Sequence, residues 1–128
     1  MSNGWAQEDV SSSPDQALSG IVTSSVITKE FRLSAGGASQ GLAVKVKASA
    51  ATIVGSITAK LQTALGNDWV DVKSVTVSAA GNFYIKVMST VAGDAAIMPL
   101  LNKGRVVITT TNAGDSVTVA SVEVLQAL

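Results

Sequence analysis

Residues 61–87 read LQTALGNDWVDVKSVTVSAAGNFYIKV. Apolar and polar residues alternate through most of this stretch, which is the period of a β-strand and not of a helix. Gly66-Asn67 interrupts the alternation, and Ala80-Gly81-Asn82 interrupts it again, so the stretch reads as strand, turn, strand, turn, strand. Within WVDVKSVTV, Val70 and Val72 share one parity while Val75 and Val77 share the other. A one-residue slip would turn half of the strand inside out, so the pattern predicts a bulge or bend near Lys73-Ser74.

The same period extends outward in both directions. Upstream, GLAVKVKA places Leu42, Val44 and Val46 on an inward face, with Lys45 and Lys47 outward. TIVGSITAKLQ places Ile53, Ile57 and Leu61 on one face and Ser56, Thr58, Lys60 and Gln62 on the other. Further upstream, Ile27, Phe31 and Leu33 share a face, opposite Thr28, Glu30 and Arg32, before a turn at Ala35-Gly36-Gly37. Downstream, NFYIKVM and GRVVITTT are strand-like, and TNAGDS reads as a hairpin connection ending at Gly114-Asp115. SVTVASVEVLQ slips once more: Val117 and Val119 are out of phase with Val122 and Val124, so a second bulge is expected at Ala120-Ser121. The segment STVAGDAAIMPLLNKG (residues 89–104) is irregular. Pro99 opposes a helix, and a loop carrying Ile97, Met98, Leu100 and Leu101 is expected. About eight short strands with turns between them predict an all-β fold, an antiparallel β-sandwich or jelly roll.

Residues 1–20 differ from the rest. They are polar, with isolated apolar residues at Trp5, Val10 and Leu18. Ser13-Pro14-Asp15-Gln16 has the form of a helix start, with Ser13 as N-cap, and Gly20 would end a short helical turn. The expected organisation is an N-terminal arm over residues 1–20 and a β-sandwich domain over residues 21–128. A tryptophan in a polar leader has no local core to enter, so Trp5 reads as an anchor into a neighbouring surface.

Composition narrows the chemistry. In 128 residues there is no cysteine and no histidine, which removes disulfides, thiolate metal sites and the usual neutral-pH base. Nine basic residues balance nine acidic ones, and they are scattered, so no nucleic-acid footprint is present. No apolar run is long enough for a membrane span, and the first residues lack the form of a secretory signal, so no membrane partner is expected. Near-zero net charge favours association, and a homo-oligomer is expected.

No catalytic set emerges. Gly55-Ser56 lacks the second glycine of a nucleophile elbow. Asp68 and Asp71 flank Trp69-Val70. A hydrolase or calcium site built on them lacks the further oxygens calcium needs, whereas Asp68 suits a turn and Asp71 the outer face of a strand. Asp94 and Asp115 follow glycines and read as turn residues. No catalytic, cofactor or metal residue is assigned. Trp69 shares its parity with Asp71 and Lys73, away from Val70 and Val72. It reads as a cap or subunit contact, with sugar stacking alongside Tyr84 as the alternative. Trp5, Val10, Leu18 and Trp69 form the expected partner-contact set.

The arrangement LQTALGNDWVDVKSV, then Ala80-Gly81-Asn82-Phe83-Tyr84-Ile85, then GRVVITTTNAGDSVTVASVEV, resembles small β-sandwich virion proteins of tailed bacteriophages. The resemblance covers roughly residues 42–126. Those proteins usually carry Asp-Gly before the tryptophan, where this chain has Gly66-Asn67-Asp68. The resemblance implies a non-enzymatic virion structural protein, assembled in a host cytoplasm, that decorates a capsid and bridges major capsid subunits as a cement. It leaves open a head–tail connector or tail-associated role, and a carbohydrate-binding or adhesin module is the reading from another class.

Overall fold

A computed structural model describes residues 5–9, 16–19, 26–32, 41–88, 91–97 and 102–127. The strands are β1 (Trp5–Asp9), β2 (Gln16–Ser19), β3 (Val26–Ile27), β4 (Phe31–Arg32), β5 (Gly41–Thr52), β6 (Ile57–Leu65), β7 (Asp68–Val77), β8 (Gly81–Met88), β9 (Lys103–Thr110) and β10 (Ser116–Ala127), with one short helix, α1 (Ala92–Ile97), between β8 and β9. They form two antiparallel sheets. Sheet A runs β1-β10-β5-β8, with β2 also on β10. Sheet B runs β3-β9-β6-β7, with β4 also on β9. The protein is an all-β sandwich.

The core lies between the four central strands. Leu42, Val44 and Val46 of β5 and Val117, Val119, Val122 and Val124 of β10 face Ile57, Ala59 and Leu61 of β6 and Val106 and Ile108 of β9. Each strand buries alternate residues because its side chains alternate between faces. Small β-branched side chains suit this spacing, since they pack on a pleated surface with little rotamer entropy to lose.

Both expected slips are real. In β7, Leu61 pairs with Lys73 but Gln62 pairs with Asp71, so Val72 is the extra residue. In β10, Val119 pairs with Ala48 and Ser121 with Lys47, so Ala120 is passed over. Each bulge resets the alternation, and all four valines of β10 are therefore buried. The β7 bulge sits one residue before the expected Lys73-Ser74, which moves Lys73 to the core side of the sheet.

Four local expectations differ from the structure. Residues 16–19 are strand β2, paired with Ser116–Val119 of β10, where a helical turn is expected. Edge hydrogen bonds from β10 outweigh a four-residue helical preference, because so short a helix gains too few bonds to offset nucleation. Ser13, Pro14 and Gly20 lie outside the described residues, as do Leu33 and Ala35-Gly36-Gly37. The single strand expected across Ile27–Leu33 is two short pieces, with Ile27 at 43% exposure and Thr28 buried at 5%. Thr28 turns inward because its hydroxyl accepts the Val106 N–H at 2.9 Å and donates to the Lys29 carbonyl at 3.0 Å. TNAGDS is no hairpin, since β9 and β10 belong to different sheets and the connection arches between them. The stretch before Pro99 forms α1, which ends at Ile97; Met98, Leu100 and Leu101 lie outside the described residues.

At Gly66-Asn67, where the alternation breaks for a turn, a hairpin forms: Leu65 pairs with Asp68 across a two-residue loop, and Gly66 takes φ 63°, a left-handed conformation that glycine adopts without a Cβ clash. Gly104 serves a different need. A Cβ there would lie 2.6 Å from the Phe31 ring, so the bare backbone lets Phe31 close over β9.

Candidate functional site: the outer face of sheet B

The outward residues of β9, β6 and β7 line up in rows, because the three strands are in register. Arg105 pairs with Gln62, and Gln62 with Asp71. Their side chains join in the same order. Arg105 Nε donates to Gln62 Oε1 at 2.9 Å, and Gln62 Nε2 donates to Asp71 Oδ1 at 2.8 Å. Lys60 Nζ approaches the other Asp71 oxygen at 3.5 Å. The Gln62 amide holds the Asp71 carboxyl below its usual range, opposed by a weaker upward push from burial, and Lys60 adds to the depression.

Trp69 stands one row along, opposite Ala64. The small Ala64 side chain leaves room for the indole to lie across β6, and the Arg105 guanidinium sits 4.3 Å from the ring centroid. The stack and the ladder hold Arg105 from two sides. The next rows continue the face: Ile27, Val107, Lys60 and Ser74, then Thr109, Thr58 and Thr76. The result is an array carrying one aromatic ring, one guanidinium and a small exposed apolar spot at Ile27, beside the buried Val107.

Trp69 shares this face with Asp71, as its parity implies. Lys73 does not, because the bulge moves it inward, where its ammonium meets Asp94 at 2.8 Å. Lys73 in turn holds the Asp94 carboxyl below its usual range, helped by the Met88 N–H at 3.1 Å. The other expected contact residues lie elsewhere. Trp5 is in β1 opposite Ala127, and Leu18 is in β2 opposite Val117, so both are on the outer edge of sheet A. Val10 lies outside the described residues. Tyr84, 46% exposed, is on β8 of sheet A, opposite Lys45. Trp69 and Tyr84 therefore face away from each other on different sheets and cannot stack one ligand together.

Sequence reading alone misses Gln62 and Arg105 as members of the array. Gln62 shows only as an outward polar residue and Arg105 only as a member of a strand-like run, and they lie 43 positions apart.

Asp115 is the other concentration of polar contacts. Its Oδ1 accepts the Val54 and Gly55 N–H groups at 2.7 and 2.8 Å, and its Oδ2 accepts those of Asn112 and Thr111 at 3.0 and 3.2 Å. One buried carboxylate thus ties the β5–β6 arch to the β9–β10 arch. Burial pushes its pKa up, but the four N–H donors outweigh that and leave it lowered. This is a structural knot, since both oxygens are consumed by backbone. Among the described residues there is no group of three or more acidic, histidine or cysteine side chains placed to hold a metal ion. No described helix is long and apolar enough to cross a membrane.

No protein-family model and no curated protein matches the chain. Solved structures do. One is a chain of the infectious bursal disease virus Gt strain, with TM-score 0.50 and 12% identity, covering 97% of this chain. The likeness is one of fold. This chain spans 32% of that viral chain. Another match is a chain from Bacillus endospore appendages, described as a novel family of disulfide-linked pili, with TM-score 0.47 and 14% identity, covering 97% of this chain and 88% of that one.

Proposed function

We propose that this chain is a non-enzymatic structural protein of a virion, a decoration protein that adheres to a shell and bridges neighbouring major capsid subunits. The observation that carries the reading is the outer face of sheet B. Trp69 and Arg105 are residue types that anchor protein interfaces, and here they are fixed before any partner arrives. Side chains already held by the Arg105–Gln62–Asp71 ladder lose little further freedom on contact. Such a face suits adhesion repeated many times around a particle, where modest contacts add through avidity. The sequence resemblance to virion proteins of tailed bacteriophages supports the same reading, and a chain without histidine or cysteine offers little to catalysis.

The test is the copy number of the chain in purified particles, by quantitative mass spectrometry against the major shell protein. A fixed high ratio to the shell subunit is expected. A dozen copies or fewer would move the protein to a connector or tail, and absence from particles would overturn the virion reading.

A further inference from the structure

The two sides of the sandwich guard their strand edges differently. On the β7–β8 side, β7 carries two devices that discourage a further strand: the bulge at Val72 and a lysine, Lys73, on the core side of an edge strand. Next to it, Asp94 of α1 binds both Lys73 and the last residue of β8.

The β10 side has one such device, the bulge at Ala120, and it falls between the stretches paired with β2 and β1. β10 is twelve residues long, and its inward residues are the four buried valines. It contains no proline and no inward charge. An exposed edge of this kind is a template for another strand. Among the described residues its outer edge is covered by leader strands: β2 along Ser116–Val119 and β1 along Glu123–Ala127.

β1 pairs with β10 and with no other described strand. Its last register position sets Asp9 opposite Glu123, whose carboxylate lies 3.8 Å from Lys45 Nζ on β5. β1 is thus a detachable cover held by one ladder. If β1 came from a neighbouring molecule, it would form the same hydrogen bonds in the same register, and crowding on a particle would raise the local concentration that favours this.

We propose that the outer edge of β10 is a strand-acceptor site, and that in assemblies residues 5–9 of a second copy fill it in exchange for the chain's own β1. The inference concerns contacts between copies of this chain and stands apart from the virion reading, so a failed copy-number test leaves it intact.

The absence of cysteine makes the test clean. Gln7 and Leu125 are directly opposite in the β1–β10 pair, close enough for a disulfide. The full-length Gln7→Cys/Leu125→Cys chain is oxidised over a range of concentrations and run on non-reducing gels. Pairing within one chain gives a monomer, and exchange gives a covalent ladder. The expected result is a shift from monomer to ladder as concentration rises, a dimer from mixed Gln7→Cys and Leu125→Cys single variants, and no dimer from mixed Gln7→Cys and Ser74→Cys chains. A monomer at every concentration, a ladder matched by the Ser74 control, or no cross-link at all would overturn the proposal. If circular dichroism shows the first pair misfolded, Ala6→Cys with Gln126→Cys tests the adjacent register pair.

Discussion

Asp115 and Asp71 are both aspartates with lowered pKa, and they do opposite work. Asp115 is 1% exposed at the arched end of the sandwich and binds four backbone N–H groups from two connections that cross between the sheets. The side chain of Asp71 is 58% exposed on a flat face, where it binds the side chains of Gln62 and Lys60. A carboxylate that gathers backbone donors in a dry site fixes the fold. One that aligns side chains in a wet site shapes a surface while contributing little stability, because solvent screens the interaction. The lesson is that depressed titration alone does not distinguish a structural carboxylate from a surface one; the partners do.

The contrast breaks most directly at Asp115. Asp115→Ala takes the acceptor from the Val54, Gly55 and Asn112 N–H groups, while the Thr111 N–H keeps the Ser56 carbonyl at 3.1 Å, and a fall in Tm of about 5–10 °C is expected in thermal melts followed by circular dichroism. Asp115→Asn tests the charge, and it sets a sign. The folded carboxyl titrates below the unfolded one, so its stabilisation is complete above about pH 4 and drains away as pH falls through the depressed folded value. The Tm gap between the native chain and Asp115→Asn therefore narrows on acidification; a gap that widens would contradict the role given to Asp115.

Gln62→Ala sharpens the other half. It removes the link between Arg105 and Asp71, and a loss of about 0.5–1.5 kcal/mol in urea unfolding is expected. Trp69→Ala sits next: unfolding changes by about 1 kcal/mol, as a half-buried cation–π contact implies. Its binding to particles should fall far more than its stability. If Trp69→Ala unfolds like the native chain and also decorates particles as well, the sheet B face is not the adhesive one. The smallest effect is expected for Lys60→Ala, about 0.2–1 kcal/mol at low salt and vanishing as salt rises, since the Lys60–Asp71 pair is exposed.

The long strands and both bulges were legible because side-chain parity is a local property. Val70 and Val72 against Val75 and Val77 demand a reset, as do Val117 and Val119 against Val122 and Val124, whatever strands lie alongside. The outward position of Trp69 with Asp71 followed from the same parity. The position of Lys73 did not, because a one-residue shift in the bulge moves it to the other face. The leader showed the limit of local signals. Ser13-Pro14 resembles a helix start, but Gln16–Ser19 pair with β10, a strand about a hundred residues away in sequence. Likewise Asp115 looks like any turn aspartate until Val54 and Gly55, 61 and 60 positions upstream, are brought against it.

By itself, then, the amino-acid order determined that this chain makes strands, where most of them bend, which faces most of them bury, and that histidine and cysteine are missing. These follow from period, composition and turn chemistry, which act between near neighbours. Only the tertiary structure decided which sheet each strand joins, that TNAGDS arches between sheets and does not form a hairpin, that Arg105, Gln62, Asp71 and Trp69 form one array, and that the leader covers the edge of β10. Those outcomes depend on strand register between distant segments, and register is set by how two whole sheets bury their apolar faces together.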